Sequence, residues 1–258
     1  MTDGTEFWRS ADLVDAYDRD DLRPVEQVLF ERYRAELSGR VLELGVGAGR
    51  VTRYLCHLAS ELHGIDISPA MVERARLACP EATIDVRDLR DLSAYANASF
   101  DAVVAPFNVI DVLDDDERQR TLDGIGRILV PGGLVIFSSH NLAHAPLVHG
   151  PIRQVLEDVR ARRFKRAVAG LVRLPRSVAN HARLRRLERA GPGYAIVNDR
   201  AHDYALSHYY ISRDEQERQL RRHGFRLVDC LDLAGSLVTA GAAAAISSEL
   251  YYVATLGL

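Results

Sequence analysis

The ten residues Val41-Leu42-Glu43-Leu44-Gly45-Val46-Gly47-Ala48-Gly49-Arg50 constrain the fold more than any other part of the chain. A short apolar strand runs into a loop with three glycines, and Val51, Tyr54, Leu55 and Leu58 then recur at helical spacing. Strand, glycine turn and helix in that order open a βαβ unit. The glycines let the backbone turn sharply against a ligand, and the helix start behind them presents unpaired N–H groups.

The rest of the chain continues the alternation. Strand-like runs at 62–67, 82–86, 100–105 and 134–139 are separated by helical patterns from Ala70, around Asp91 and from Asp115, and an amphipathic helix over 24–37 precedes the first strand. Such alternation predicts a parallel sheet covered by helices. Asp114, Asp115, Asp116 and Glu117 read as carboxylates favouring a helix dipole in the first turn, rather than as a site. After residue 139 the order changes: 140–200 intervenes before a run at 201–211, a helix at 212–223 and strands near 225–231 and 248–256.

A dinucleotide fingerprint would place its third glycine at position 50, which holds Arg50, whereas here it falls one residue early at Gly49. Glu43, at the strand's carboxyl end, suits a ligand carrying an amino group better than a pyrophosphate. The spacing Glu43-x-Gly45-x-Gly47-x-Gly49 resembles the first motif of the class I S-adenosylmethionine (SAM) methyltransferases. The resemblance covers roughly residues 38–139 and 201–257. It implies an α/β, Rossmann-like fold with a seven-stranded, mostly parallel sheet and helices on both faces. It further implies an N-terminal helical lid over 1–37, a SAM-binding core over 38–139, a basic helical cap inserted over 140–200 after the fifth strand, and completion of the sheet over 201–258. The expected cofactor is SAM, leaving S-adenosylhomocysteine as product.

Ligands of open α/β sheets sit at the carboxyl ends of the strands, so the candidate site residues are those found there. Asp66 stands 21 positions after Gly45, where an acidic group accepts both ribose hydroxyls; the competing role is a helix cap ahead of Ser68-Pro69. The resemblance puts Ile67 against the adenine, Asp88 on its exocyclic amine with the Leu89 N–H on the ring, and Ala105 beside the cofactor. It also puts Tyr17 of the lid on the cofactor. Asp85 competes weakly with Asp88.

Ala105-Pro106-Phe107-Asn108 closes the fourth strand. It departs from the Asn/Asp-Pro-Pro-Tyr of enzymes that methylate exocyclic amines of nucleic-acid bases, because Ala105 accepts no hydrogen bond. Phe107 is expected to stack an acceptor and Asn108 to position it, against a reading of core packing and a turn. Methyl transfer from a sulfonium needs chiefly positioning, and a hydroxyl or carbon acceptor needs a base as well. His140, following the fifth strand and titrating near neutral pH, is the first candidate base, with Tyr17, Asp18 and Asp21 as second choices. Asn141 and Tyr209 complete the expected substrate contacts; strand packing competes equally for Tyr209.

Composition narrows the partners. With 258 residues, 47% of them apolar, the chain can bury one large core, and a net charge of -3 shows no overall preference for polyanions. Only Lys165 among 33 basic residues is lysine, the mark of a GC-rich coding sequence. Cys56, Cys79 and Cys230 are odd in number and far apart, so reduced thiols are expected, and His140, His144 and His149 lack the spacing of a metal site. No metal is expected. Segment 151–190 carries twelve basic residues against three acidic, a net +9 that leaves -12 on the remainder. Apolar residues at helical spacing within it predict amphipathic helices capping the pocket rather than a nucleic-acid platform.

These features together point to a SAM-dependent methyltransferase acting on a nitrogen, oxygen or carbon of a small molecule, an aromatic or peptide-derived secondary metabolite. The expected setting is cytoplasmic, as monomer or homodimer, with neither nucleic acid nor membrane as partner. The alternatives are an RNA or protein methyltransferase using the basic insertion, and a non-catalytic SAM-binding regulator.

Overall fold

A computed structural model of the chain describes residues 5–10, 14, 21–145, 150–241 and 247–257. Tyr17, Asp18 and His149 lie outside the described residues.

Helix α1 (Pro24–Arg32) leads to strand β1 (Arg40–Leu44), the short helix α2 (Thr52–Leu55), β2 (Glu61–Asp66), α3 (Pro69–Ala78), β3 (Thr83–Val86), β4 (Phe100–Ala105), α4 (Asp115–Ile128) and β5 (Leu129–Asn141). The segment 140–200 contributes α5 (Pro151–Arg160), α6 (Phe164–Leu184), β6 (Arg189–Gly191) and β7 (Tyr194–Val197), and β8 (His208–Ile211) follows it. The chain closes with α7 (Arg213–Arg222), β9 (Phe225–Leu231) and β10 (Glu249–Leu256).

Strands β3, β2, β1, β4 and β5 pair in parallel in that order, and β10 and β9 continue antiparallel beyond β5. These are the seven expected strands. The sheet nevertheless has ten among the described residues, because the insertion adds β7 and β6 and the run after it adds β8. His140 pairs with Glu249 of β10 along one edge and with Tyr210 of β8 along the other. A strand residue has only two edges, so β8 takes the place beside β5 that β4 vacates when it ends at Ala105. The cap is thus partly sheet, where helices alone were expected. The segment around Asp91 differs too: it forms turns, with Asp88 and Asp91 accepting the N–H groups of Arg90 and Ser93.

Alternation along the central strands builds two cores. Val41, Ala102, Val104 and Ile136 face α1, where Val25, Leu29 and Phe30 are buried, while Leu42, Leu44, Val103 and Phe137 face Leu122 and Ile125 of α4 and Leu220 of α7. Burial on both faces explains why β1 is apolar at Val41, Leu42 and Leu44, with Glu43 as the one polar residue buried among them. The Asp114–Glu117 cluster is a capping box on α4, Asp114 accepting the Glu117 N–H at 2.8 Å.

Cys56 and Cys79, expected as thiols, are joined in a disulfide. Each caps the C-terminus of a helix, α2 and α3, and the packing of those helices sets their Cα atoms 6.5 Å apart, a relation that a separation of 23 residues does not announce. Cys230 is a buried free thiol whose pKa burial pushes up to about 12.

Candidate active site

The strand order reverses between β1 and β4, and the crevice at a reversal is where open α/β sheets bind ligands. On the β1 side lies the glycine loop. Gly45 has φ +72° and a Cβ there would stand 2.2 Å from Val109 Cγ2, so this turn is packed; a Cβ at Gly49, at φ +92°, would stand 3.0 Å from Ala78 Cβ and 3.1 Å from Ala75 Cα of α3. Gly47 differs. It has φ +54° with nothing within 4 Å of an added Cβ, so its outer side is open. Its N–H donates to Asp66 Oδ2 at 2.9 Å, and Ser68 N–H donates to Asp66 Oδ1 at 2.9 Å. The Asp66 carboxylate thereby pins the loop to the end of β2 and keeps further lone pairs for a ligand. Burial raises its pKa against these hydrogen bonds.

Glu43 is buried beneath the loop, with Thr52 Oγ1 donating to it at 2.7 Å. Burial pushes its pKa up to about 8, against the Thr52 hydrogen bond and the charge of Arg50. Ile67 and Leu89 are half-buried, and Ala105 is fully buried at the end of β4. Asp88 is held by Arg90, whose Nε lies 2.9 Å from both carboxylate oxygens and whose Nη1 reaches Glu117 at 2.9 Å.

On the β4 side Phe107 and Asn108 are both left-handed, with φ of +59° each. Two successive non-glycine residues in this region store strain of roughly 1–3 kcal/mol apiece, held here by packing. The Phe107 ring is 41% exposed and lies under Arg23, whose Cζ is 4.1 Å from its centroid. Arg23 pairs with Glu249, and Arg50 pairs with the fully buried Glu26 of α1 at 2.8 Å and reaches the Asp21 carbonyl at 3.3 Å. The position where a dinucleotide site needs glycine therefore fastens α1 and the segment before it to the loop. Asp21 itself is exposed.

His140 sits at the end of β5 with its ring between two groups. Its Nδ1 is 2.8 Å from Asp111 Oδ2, and its Nε2 is 3.3 Å from Asn108 Nδ2. Asp111 was not foreseen as a site residue. It lies in the single turn Val109–Val112 after β4, fully buried, and also accepts the His140 N–H at 2.6 Å, Ser139 Oγ at 2.5 Å and Arg118 Nη1 at 2.7 Å. Arg118, fully buried, donates further to Ser139 Oγ and Gln216 Oε1 at 2.7 Å each. Burial opposes ionisation of Asp111, but the His140 hydrogen bond and the charges of Arg118 and His140 outweigh it and hold its pKa low. Burial likewise opposes a charged His140, and Asp111 overcomes it, raising the imidazole pKa. Asn108 N–H donates to Ser138 Oγ at 2.7 Å, while its Oδ1 is buried with no hydrogen-bond partner among the described residues.

The sequence contains a trace of this arrangement. Asp111 is a lone acid in the apolar run Val109–Leu113, and Arg118 occupies the same helical stripe as Leu122 and Ile125. A charge on a buried stripe needs a partner, and each of these two is the other's.

Beside His140, β8 alternates as strands do. His208 and Tyr210 face the His140 ring at centroid distances of 5.3 and 5.0 Å, whereas Tyr209 points to the other face, stacked on Tyr194 and hydrogen-bonded to Asp115. Tyr210, not Tyr209, is the tyrosine against the candidate base. Asp199 joins this wall, accepting from Tyr210 at 2.7 Å and pairing with His208 Nδ1 at 3.0 Å. His202 extends it toward Phe7 and Trp8, with centroid distances of 4.9 and 5.3 Å. Asn141 is turned away: its Nδ2 donates to the Ser247 carbonyl at 2.9 Å and its Oδ1 caps the turn Leu142–His144. Among the described residues, the group with metal-ligand proximity is Cys56, Cys79 and Glu81, and its two sulfurs are bonded to each other.

Residues 41–133 match a protein family described as a methyltransferase domain. Solved structures of methyltransferases share the architecture over nearly the whole chain: the CcbJ methyltransferase of Streptomyces caelestis superposes with a TM-score of 0.61 at 19% identity, covering 99% of this chain and 100% of that one. The chain has the class I SAM-dependent methyltransferase fold. The 1,6-didemethyltoxoflavin-N1-methyltransferase of Burkholderia thailandensis, solved with its substrate and S-adenosylhomocysteine, has the same fold at a TM-score of 0.57 and 16% identity, over 96% of this chain and 83% of that one. In sequence, the chain is 33% identical over 113 residues to the ubiquinone biosynthesis O-methyltransferase of Xanthomonas oryzae pv. oryzae. That match covers 42% of this chain, which spans less than half the relative's length, 46%.

Proposed function

We propose that this protein is a SAM-dependent methyltransferase that methylates a protic oxygen or nitrogen of a small, aromatic-type molecule. The observation that carries this reading is the His140 imidazole at the end of β5, oriented by Asp111 through Nδ1 and with Nε2 beside Asn108.

The cofactor fits the residues present. Gly47 is the loop glycine with open space beside it, Asp66 keeps acceptor capacity for ribose hydroxyls, and Glu43, held protonated at neutral pH by burial, would balance an ammonium group only when that charge draws its pKa down. Ile67, Leu89, Ala105, Asp88 and Tyr17 belong to the same proposal. Since Arg90 holds Asp88, the adenine amine would share that carboxylate with a guanidinium. When bound, SAM supplies an electrophilic methyl carbon attached to a sulfonium.

The chain's own residues supply position and a proton path. Asp111 accepts the Nδ1–H, which puts the neutral ring's lone pair on Nε2; this lone pair accepts from Asn108 Nδ2 at 3.3 Å and would exchange that contact for the acceptor's proton, and the Asp111 charge then stabilises the imidazolium. Asn108 Oδ1, buried without a partner, suits a donor on the acceptor. His208, Tyr210 and His202 offer flat walls for an aromatic ring. The proposal includes a lid over 1–37, a cap over 140–200 and a cytoplasmic setting. The named relatives, an O-methyltransferase and a heterocycle N-methyltransferase, support a small-molecule acceptor.

The test is calorimetric titration with SAM followed by turnover on a panel of phenols and heteroaromatic amines, read by mass spectrometry. SAM binding that Asp66→Ala removes, and methylated product that His140→Ala removes without loss of SAM binding, are the expected results. A chain that fails to bind SAM overturns the proposal.

A further inference from the structure

The insertion carries an apolar face that the fold leaves in solvent. Helix α5 buries Val155 and Asp158 and leaves Ile152, Leu156 and Val159 outside; α6 buries Ala167, Ser177 and Leu184 and leaves Phe164, Val168 and Val172 outside. These six are between 45% and 78% exposed. Each set recurs at three- or four-residue steps, the spacing that normally faces a core. The helices are joined by residues 161–163 and meet at Val155 and Gly170, where an added Cβ would come within 2.9 Å of Val155 Cγ2. They therefore run antiparallel. In both, the exposed stripe lies on the same rotational side of the buried one, so the two stripes open onto one surface.

Exposed basic residues stand at the helix positions next to these stripes, Arg153 and Arg160 on α5 and Lys165 and Arg176 on α6. Segment 151–190 carries twelve basic residues against three acidic, while the rest of the chain carries a net -12. We propose that the α5–α6 hairpin docks the protein on the surface of an anionic lipid bilayer. A helix with a wide apolar stripe and a basic flank lies in the interface plane, its apolar side among the acyl chains and its arginines at the headgroups. The acidic remainder is repelled by the same surface and orients the hairpin toward it. A second copy of the chain fits less well, because it would set +9 against +9. Single-stranded nucleic acid would require stacking rings, and of the exposed stripe only Phe164 is aromatic. Among the described residues no helix is long and apolar enough to cross a membrane, and docking of this kind needs none. The sequence expectation of no membrane partner is thereby revised, independently of the cofactor reading.

Sedimentation of the full-length protein with vesicles tests the proposal. Binding should be at least ~10-fold stronger to phosphatidylcholine vesicles containing phosphatidylglycerol than to phosphatidylcholine alone, and should weaken with salt. The double substitution Leu156→Glu and Val172→Glu should abolish it with circular dichroism and SAM affinity unchanged. Equal binding to both vesicles, binding insensitive to the double substitution, a dimer in solution that this substitution dissociates, or tighter binding to single-stranded RNA than to anionic vesicles would each overturn it. Loss of SAM binding with retained vesicle binding would instead sink the cofactor reading alone.

Discussion

Asp111 grips His140 twice, through the backbone N–H at 2.6 Å and through Nδ1 at 2.8 Å, so a single buried carboxylate fixes both the residue and the orientation of its ring. A base held this way must be neutral to act, and Asp111 raises its pKa. Turnover should therefore rise with pH through a midpoint above the ordinary imidazole value of 6.5. Stability should run the other way: the His140 contribution is full below 6.5 and is lost as pH rises through the raised value. Asp111→Asn should lower kcat by about 10²-fold and move the midpoint of the pH–rate profile downward. A change confined to KM would contradict this assignment. Because that variant also leaves Arg118 buried without its carboxylate, His140→Asn serves as the second variant, expected to lose turnover with a smaller loss of stability.

Glu43 is pushed up to about 8 in the folded chain, so folding binds a proton between its ordinary value of 4.5 and that pH. Folded stability then falls as pH rises through this window. Glu43→Gln keeps a partner for Thr52 and removes the titration. Thermal melts of the variant should be flatter between these pH values, and its SAM affinity should be lower. An identical pH profile in both proteins would rule out the burial argument.

The loop glycines should separate stability from binding. Gly45→Ala combines a positive φ with a clash against Val109, a cost of about 2–4 kcal/mol to be read by urea denaturation. Gly47→Ala meets no protein atom and should cost only about 1–2 kcal/mol, yet should weaken SAM binding more than stability. The reverse ranking would mean that Gly47 does not line the ligand.

The Cys56–Cys79 bond closes a loop of 23 residues, which constrains the unfolded chain by about 3 kcal/mol. Reduction, or the paired change Cys56→Ser and Cys79→Ser, should lower Tm measurably. In a reducing cytoplasm the pair would exist as thiols, which alkylation of freshly lysed cells would count.

The path of the sheet was legible because its signals are local: an apolar run at Val41–Leu44, glycines that only one loop shape explains, and a helical stripe beginning at Asp115. Glu43, Asp66 and His140 were legible as strand-end residues. What escaped depends on which residues meet across the fold. Asp111 and Arg118 are seven positions apart, yet their role arises from Ser139 and Gln216 arriving from other elements. The distinction between Tyr209 and Tyr210 is not legible, because the face of a strand is set by its register against β5, which no property of the three residues His208, Tyr209 and Tyr210 encodes. The Cys56–Cys79 pairing is set by how the ends of α2 and α3 pack, which a separation of 23 residues does not announce.

The pairing of β8 with β5 makes His208 and Tyr210 part of the frame that holds His140. They are carried on a strand ladder stitched to His140 and Asn141 by backbone hydrogen bonds, not on a loop. A substitution that disturbs this seam would therefore move the imidazole and its aromatic neighbours together, whereas Arg50 and the Asp21 carbonyl tie only the start of α1 to the glycine loop.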